Sequence, residues 1–159
     1  MENKTGIQNT FQTIVTKNWS EYALLDSGDG RKLERFGKYV IDRPEPQAMW
    51  GHRSPVGTWQ EADAVFIGDD EHENGSWRFC GEPLNTWETS YGLVKFLGRF
   101  TSFRHLGFFP EQAFNWDVIS KRLTLIKNAK VLNLFAYTGV ASLFAAHAGA
   151  EVTHVDAAK

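Results

Sequence analysis

The stretch that decides the fold is VLNLFAYTG, residues 131–139, in which an apolar run of strand length ends in a glycine turn. Its first six residues, 131–136, are almost all apolar, as expected for a strand of a parallel sheet that helices cover on both faces. Beyond the turn, apolar residues recur at helical spacing at Val140, Leu143, Phe144 and Ala148. Residues 151–156, EVTHVD, have the pattern of another strand. The sequence therefore predicts a strand–helix–strand unit with the usual right-handed connection.

A helix is predicted immediately upstream of this unit, beginning at Pro110. Proline is favoured in the first turn of a helix, and helical spacing is kept by Ala113, Trp116, Ile119, Leu123 and Ile126. Before this proline, short apolar stretches alternate with turn residues, which indicates a β-rich region. The predicted strands lie at 22–25, 36–41, 64–67, 77–79 and 93–96. We therefore expect a loosely held terminus at 1–18, a β-rich amino-terminal domain at 19–109, and the start of an α/β domain at 110–159.

Composition excludes several classes of protein. The 159 residues are 42% hydrophobic and 23% charged, which is typical of a globular chain rather than a disordered one. A net charge of -2 argues against nonspecific coating of nucleic acids. Cys80 is the only cysteine, so an intramolecular disulfide and a cysteine-rich zinc site are both excluded, and we expect its side chain to be buried.

Neither a membrane span nor a metal site is indicated. No apolar run approaches bilayer length and the first residues do not have the pattern of a signal peptide, so the cytosol is the expected compartment. The five histidines lack the spacing of a metal-binding helix. The oligomeric state stays open.

The carboxyl ends of the two predicted strands form the strongest candidate site. Ligands of open α/β sheets bind beyond these ends, and an acid at the end of the second strand, here Asp156, can accept both hydroxyls of a ribose. The turn does not match G-x-G-x-x-G, because Phe135 and Tyr137 stand where a pyrophosphate would require glycine. NAD and FAD are therefore disfavoured. S-adenosylmethionine, an adenosine derivative that carries no phosphate, remains compatible with this turn.

Three segments carry a specific resemblance. Residues 131–139 and 149–157 closely resemble motifs I and II of class I S-adenosylmethionine-dependent methyltransferases, and GFFPEQ, 107–112, resembles the segment that precedes the core in one branch. That branch is related to the bacterial 23S ribosomal-RNA cytosine-C5 methyltransferases. Residues 26–37 further resemble the amino-terminal region of one bacterial subfamily of these enzymes. The implied fold class is α/β: an amino-terminal β-rich domain followed by the first βαβ unit of a Rossmann-like methyltransferase core, truncated after that unit.

The resemblance also implies a set of cofactor-binding residues. Asp156 would hold the ribose hydroxyls, the backbone of the turn would line the methionine end, and Gln112 could add a polar contact. Asn133 stands where the wider superfamily commonly has an acid, which would weaken pairing with the cofactor's ammonium group. The complete set is Gln112, Asn133, Phe135, Ala136, Tyr137, Thr138, Gly139 and Asp156. Catalytic residues would lie after Lys159, so we expect the chain alone to transfer no methyl group.

RNA is the substrate class implied by the resemblance. The candidate contacts are Arg99, Arg104 and His105, which stand beside Phe100, Phe103 and Phe108 in a locally basic, aromatic stretch. The simpler interpretation is that these aromatic residues belong to the core of the β-rich domain.

Other functions and a structural role for Asp156 are left open. The chain could be a noncatalytic nucleoside-binding or substrate-presenting module, or a NAD-type oxidoreductase. Asp156 alone could be an ordinary helix cap.

Overall fold

Three sheets organise the part of the chain that the structure, a computed structural model, describes: residues 13–16, 19–68 and 74–157. The largest has five strands in sequence order, with β3 and β4 parallel and the other neighbours antiparallel. A short helix, α1 (Val56–Gln60), connects the parallel pair. The five strands are β1 (Tyr22–Gly28), β2 (Arg31–Phe36), β3 (Tyr39–Pro44), β4 (Ala64–Gly68) and β5 (Gly75–Phe79).

The first two hairpins have tight turns with left-handed residues. Asp29 and Gly30, with φ of 48° and 73°, join β1 to β2, as expected for a two-residue hairpin loop. Gly37, with φ of 59°, reverses the chain between β2 and β3. The predicted strand at 36–41 is therefore wrong, because it runs across this second turn.

A separate hairpin supplies the second sheet. Strands β6 (Thr86–Tyr91) and β7 (Val94–Arg99) pair antiparallel around Gly92, whose φ is 59°. The strand predicted at 93–96 corresponds to β7, whereas β6 was not predicted. Burial alternates in the first part of β6, where Trp87 and Thr89 are buried and Thr86 and Glu88 are exposed.

The predicted strand–helix–strand unit is confirmed. After a 3-10 turn (Pro110–Gln112) and helix α2 (Ala113–Leu123), strand β8 (Lys130–Leu134), helix α3 (Val140–His147) and strand β9 (Glu151–Val155) follow. Strands β8 and β9 are parallel and pair in register. The first strand ends at Leu134 rather than at 136, because Phe135 takes a left-handed φ of 54°.

Helix α3 packs on one face of the β8–β9 pair. Within the described residues, alternate side chains of the opposite face are exposed: Leu132 by 61%, Leu134 by 53% and Val155 by 45%. Coverage of both faces, expected from the apolar sequence of β8, is therefore not observed in this part of the chain.

One aromatic core connects the β-rich region with α2 and α3. The rings of Trp116 and Phe144 stack at 5.0 Å in this core, and Trp116 also contacts Trp19 and Phe96 edge-on. The buried members of this core are Trp19, Phe36, Ile41, Ala64, Trp87, Val94, Phe96, Leu106, Phe108, Ala113, Trp116, Val140 and Phe144. The core therefore extends across the predicted boundary at 109/110, and the division into 1–18, 19–109 and 110–159 stays a prediction. Residues 1–12 and 17–18 lie outside the described part.

Two buried acids are satisfied inside the β-rich region. Glu34 forms a two-pronged ion pair with Arg43, with Nε–Oε2 at 2.6 Å and Nη2–Oε1 at 3.1 Å. Asp26, 7% exposed, accepts hydrogen bonds from the backbone N–H of Ser54 and from the Trp59 indole, among others. Burial raises the pKa of Asp26, but the hydrogen bonds lower it by more than burial raises it, so that the pKa is about 2.

The structure also bears on the single cysteine and on membrane insertion. Cys80 is exposed, so the expectation of a buried thiol is wrong; it lies directly after β5, at the start of a loop. Among the described residues, no helix combines the length and apolar character that crossing a membrane requires.

Candidate functional site

The turn between β8 and α3 has an unusual backbone conformation. Phe135 and Tyr137 have left-handed φ values of 54° and 53°, and Gly139 has a φ of 90°. Side chains in this region cost on the order of 1 kcal/mol each, so the surrounding structure must hold the turn in place. One of these supports is the N–H of Ala136, which donates to the carbonyl of Val155 at 3.1 Å.

Asp156 contacts this turn directly. Its Oδ2 accepts the backbone N–H of Tyr137 at 2.6 Å, across 19 residues of sequence. Because the acceptor is charged, this bond is stronger than an ordinary amide bond. Tyr137 precedes the first residue of α3, Val140, so this contact does not cap α3. The structure thus brings Asp156 to the turn that the sequence predicted as its neighbour.

The segment upstream of α2 holds the other side of the turn. The hydroxyl of Thr138 donates to the carbonyl of Gly107, and the ring of Tyr137 lies 5.5 Å from that of Phe109. Burial raises the pKa of Tyr137, against the opposing effects of the Gly107 N–H and the Arg43 guanidinium. The segment 107–112 therefore packs against the turn.

A cavity of about 260 Å³ opens between this segment and the turn. Trp116 and Phe108 form part of its apolar wall. Six of the eight predicted cofactor residues line it: Gln112, Asn133, Phe135, Ala136, Tyr137 and Thr138. The other two, Gly139 and Asp156, adjoin it through the turn.

Asn133 is tied to two residues that sequence reasoning missed. Its Nδ2 donates to Ser142 Oγ at 2.9 Å, and this oxygen lies 3.1 Å from Nδ1 of His154. His154 also borders Gly139, where an added Cβ would lie 3.1 Å from Cε1 of the imidazole. A signal for His154 was available in the sequence, because in the strand predicted at 151–156 it stands two residues before Asp156, and alternate residues of a strand share a face.

A larger cavity of about 600 Å³ shares Tyr137, Thr138 and Val140 with the first. Of the three predicted RNA contacts, Arg99 lines this cavity together with Phe103. Arg104 and His105 do not line it. The carbonyl of Arg104 accepts a hydrogen bond from Arg43, and the His105 ring packs edge-on to Phe109 at 5.2 Å.

Residues 13–16, 19–68 and 74–157 contain no cluster of potential metal ligands. No group of three or more His, Cys, Asp or Glu side chains is placed there to hold an ion.

Comparison with solved structures gives three informative similarities. The SAM-dependent methyltransferase from Agrobacterium tumefaciens is 53% identical, with a TM-score of 0.84 over 89% of this chain and 45% of that protein. A candidate SAM-dependent methyltransferase from Streptococcus mutans is 18% identical, with a TM-score of 0.62 over 87% of this chain and 39% of that one. A candidate methyltransferase complexed with SAH is 19% identical, with a TM-score of 0.58 and the same coverages of 87% and 39%.

These similarities confirm the resemblance to class I S-adenosylmethionine-dependent methyltransferases and the α/β fold class. The two more distant structures support the fold alone. This chain spans less than half of the length of each of the three proteins. No protein-family model and no curated protein matches it.

Proposed function

We propose that this chain forms part of an S-adenosylmethionine-dependent methyltransferase and binds that cofactor at the turn after β8. The observation that carries the proposal is the contact between Asp156 Oδ2 and the Tyr137 N–H, which places a carboxylate beside the cavity of this turn. The 53% identity to a SAM-dependent methyltransferase supports the same conclusion independently.

The residues present fit this cofactor better than a dinucleotide. A carboxylate suits ribose hydroxyls, and the apolar wall from Phe108 and Trp116 suits the remainder of a nucleoside. Phe135 and Tyr137 carry side chains at positions where close approach of a pyrophosphate requires glycine. The side chains at the turn therefore argue against a NAD-type oxidoreductase.

The contribution of the chain is binding and orientation. When bound, S-adenosylmethionine supplies an electrophilic methyl group for in-line transfer to a nucleophile. We assign Asp156 to the ribose of the cofactor and Asn133 to its amino-acid end. The hydrogen bond from Thr138 to the carbonyl of Gly107 supports the turn that lies between these two residues. Alignment of this kind can supply a large part of the rate enhancement of a displacement reaction.

RNA is the acceptor that we propose, on the basis of the resemblance to ribosomal-RNA methyltransferases. The larger cavity supports this choice, because Arg99 and Phe103 offer a cation and an aromatic face next to the cofactor turn. That these 159 residues alone transfer no methyl group stays a prediction.

The proposal is tested by calorimetry with S-adenosylhomocysteine on the chain and on two Asp156 variants. Asp156→Ala is expected to weaken binding tenfold or more, since a hydrogen bond to a charged group contributes about 1.5–3 kcal/mol. Asp156→Asn keeps an oxygen for the Tyr137 N–H, so a loss of affinity there reports on the charge rather than on the turn.

Glu151→Ala is the matched control, because Glu151 is an acid on β9, the strand that Asp156 directly follows, with its side chain 73% exposed in an ion pair with Lys130. It is expected to bind the ligand like the wild type. Affinity within twofold of wild type in Asp156→Ala would contradict the proposed site. Binding of NAD in preference to S-adenosylhomocysteine would favour the oxidoreductase, and tight binding by a full-length protein without methyl transfer would favour the noncatalytic module.

A further inference from the structure

A chain of hydrogen bonds runs behind the cofactor turn through three side chains on three elements. Asn133 on β8 and His154 on β9 are paired neighbours in the parallel sheet, so their side chains share one face. Ser142, in the first turn of α3, lies between them, 2.9 Å from Asn133 Nδ2 and 3.1 Å from His154 Nδ1. The strand–helix–strand geometry therefore creates this contact.

Ser142 Oγ has one hydrogen to donate and two lone pairs with which to accept. Its contact with His154 Nδ1 takes its direction from the tautomer of the imidazole. The contact with Asn133 has one direction, because Asn133 Nδ2 can only donate and Ser142 Oγ accepts.

This direction determines what Asn133 offers to the cavity that it lines. Because Nδ2 is the atom that faces Ser142, the amide oxygen lies on the other branch of the side chain and is the acceptor that Asn133 offers to a ligand of the cavity. A reversed amide would present hydrogen-bond donors instead, which repel a positively charged group. The orientation thus decides whether a neutral side chain at this position attracts or repels an ammonium.

We propose that Ser142 and His154 are positioning residues that turn the Asn133 oxygen toward the cavity, where it accepts the ammonium group at the amino-acid end of the cofactor. This inference rests on the proposed function and assigns a role to two residues outside the predicted site. It also explains how an asparagine can serve at a position where the superfamily commonly has an acid.

The imidazole also lies against the turn. A Cβ added at Gly139 would lie 3.1 Å from Cε1 and 3.3 Å from Nδ1, so a larger residue there would make the exposed ring move. His154 therefore connects the hydrogen-bond chain to the turn itself, and the turn limits where Nδ1 can lie.

The test compares two ligands that differ at the amino-acid end. S-adenosylhomocysteine carries the ammonium group, whereas 5′-methylthioadenosine has the same nucleoside and no amino acid. Ser142→Ala and His154→Leu are expected to weaken binding of the first ligand about tenfold and to leave the second within twofold, as measured by calorimetry. His154→Asn offers an oxygen near the place of Nδ1 and is expected to restore most of the affinity.

His147→Leu on the exposed end of α3 is the matched histidine control, and it is expected to change neither affinity. An equal loss for both ligands would indicate a merely structural role and would overturn the inference. Unchanged binding of S-adenosylhomocysteine in Ser142→Ala and His154→Leu would overturn it as well, while leaving the proposed function intact. If the wild-type chain binds neither ligand, the proposed function fails, and this inference fails with it.

Discussion

Gly139 and Gly149 have nearly the same backbone conformation in different surroundings, so replacing each by alanine separates backbone strain from steric contact. Their φ values are 90° and 91°. A Cβ at Gly149 would meet no atom within 4 Å, whereas one at Gly139 would lie 3.1 Å from His154. Gly149→Ala therefore adds strain alone, and Gly139→Ala adds the same strain together with a close contact.

The expected losses follow from these two contributions. An L-residue in the left-handed region costs about 1–2 kcal/mol, which is the loss in unfolding free energy expected for Gly149→Ala. Gly139→Ala is expected to lose about 1 kcal/mol more, at the lower end of the cost of overpacking because the imidazole is exposed and can shift. Adding His154→Ala to Gly139→Ala should remove this excess.

Urea denaturation of the wild type, Gly139→Ala, Gly149→Ala, His154→Ala and the Gly139→Ala/His154→Ala double variant measures these differences. Calorimetry with S-adenosylhomocysteine measures ligand binding by the same five proteins. Gly139→Ala should weaken ligand binding, because the imidazole that holds Ser142 is displaced, whereas Gly149→Ala at the far end of α3 should not. Equal losses of stability in the two single variants would refute the argument that the His154 ring occupies the space beside Gly139. An excess that persists in the double variant would refute it too.

Three further outcomes are expected elsewhere in the chain. Asp26 has a pKa of about 2 in the folded protein, below its ordinary 3.8. Its ionised form therefore stabilises the fold above about pH 4 by about 2–3 kcal/mol, and this contribution disappears as the pH falls toward 2. In Asp26→Asn, the unfolding free energy should lack this part of its dependence on pH. Glu34→Gln leaves the buried Arg43 guanidinium without its charge partner and should cost about 3–5 kcal/mol in urea denaturation, whereas Glu34→Gln with Arg43→Met should recover much of the loss. Cys80, being exposed, should react with a thiol reagent in the native protein at a rate close to that of the urea-unfolded chain, and a strongly protected thiol would contradict its position.

The strand–helix–strand unit was predictable because hydrophobic periodicity encodes it. The limits of its first strand were not, since Phe135 and Ala136 are as apolar as the strand itself and only the left-handed φ at Phe135 ends it. The wrong prediction of a strand at 36–41 has the same cause, because the apolar pattern does not show that Gly37 reverses the chain within this stretch. The pattern of apolar residues indicates which segments form strands and helices, but not where the backbone turns.

Proximity of Asp156 to the turn was predictable because parallel strands end at the same edge of a sheet. The roles of Ser142 and His154 were not evident, because each depends on contacts between elements that sequence spacing does not specify. The three residues suggested as RNA contacts are close in sequence but do not share one cavity. Arg99 ends β7 and faces a cavity, whereas the loop that follows carries Arg104 and His105 elsewhere.

The aromatic core has a consequence for the evolutionary history of this chain. Trp19 and Phe96 from the β-rich region pack edge-on against Trp116, and Tyr91 packs against Phe144, so each part covers apolar rings of the other. Recombination that exchanged the amino-terminal strands for those of an unrelated protein would leave Trp116 without its neighbours Trp19 and Phe96. The two parts are therefore expected to have been inherited together, and their core positions should change in concert when related sequences are compared.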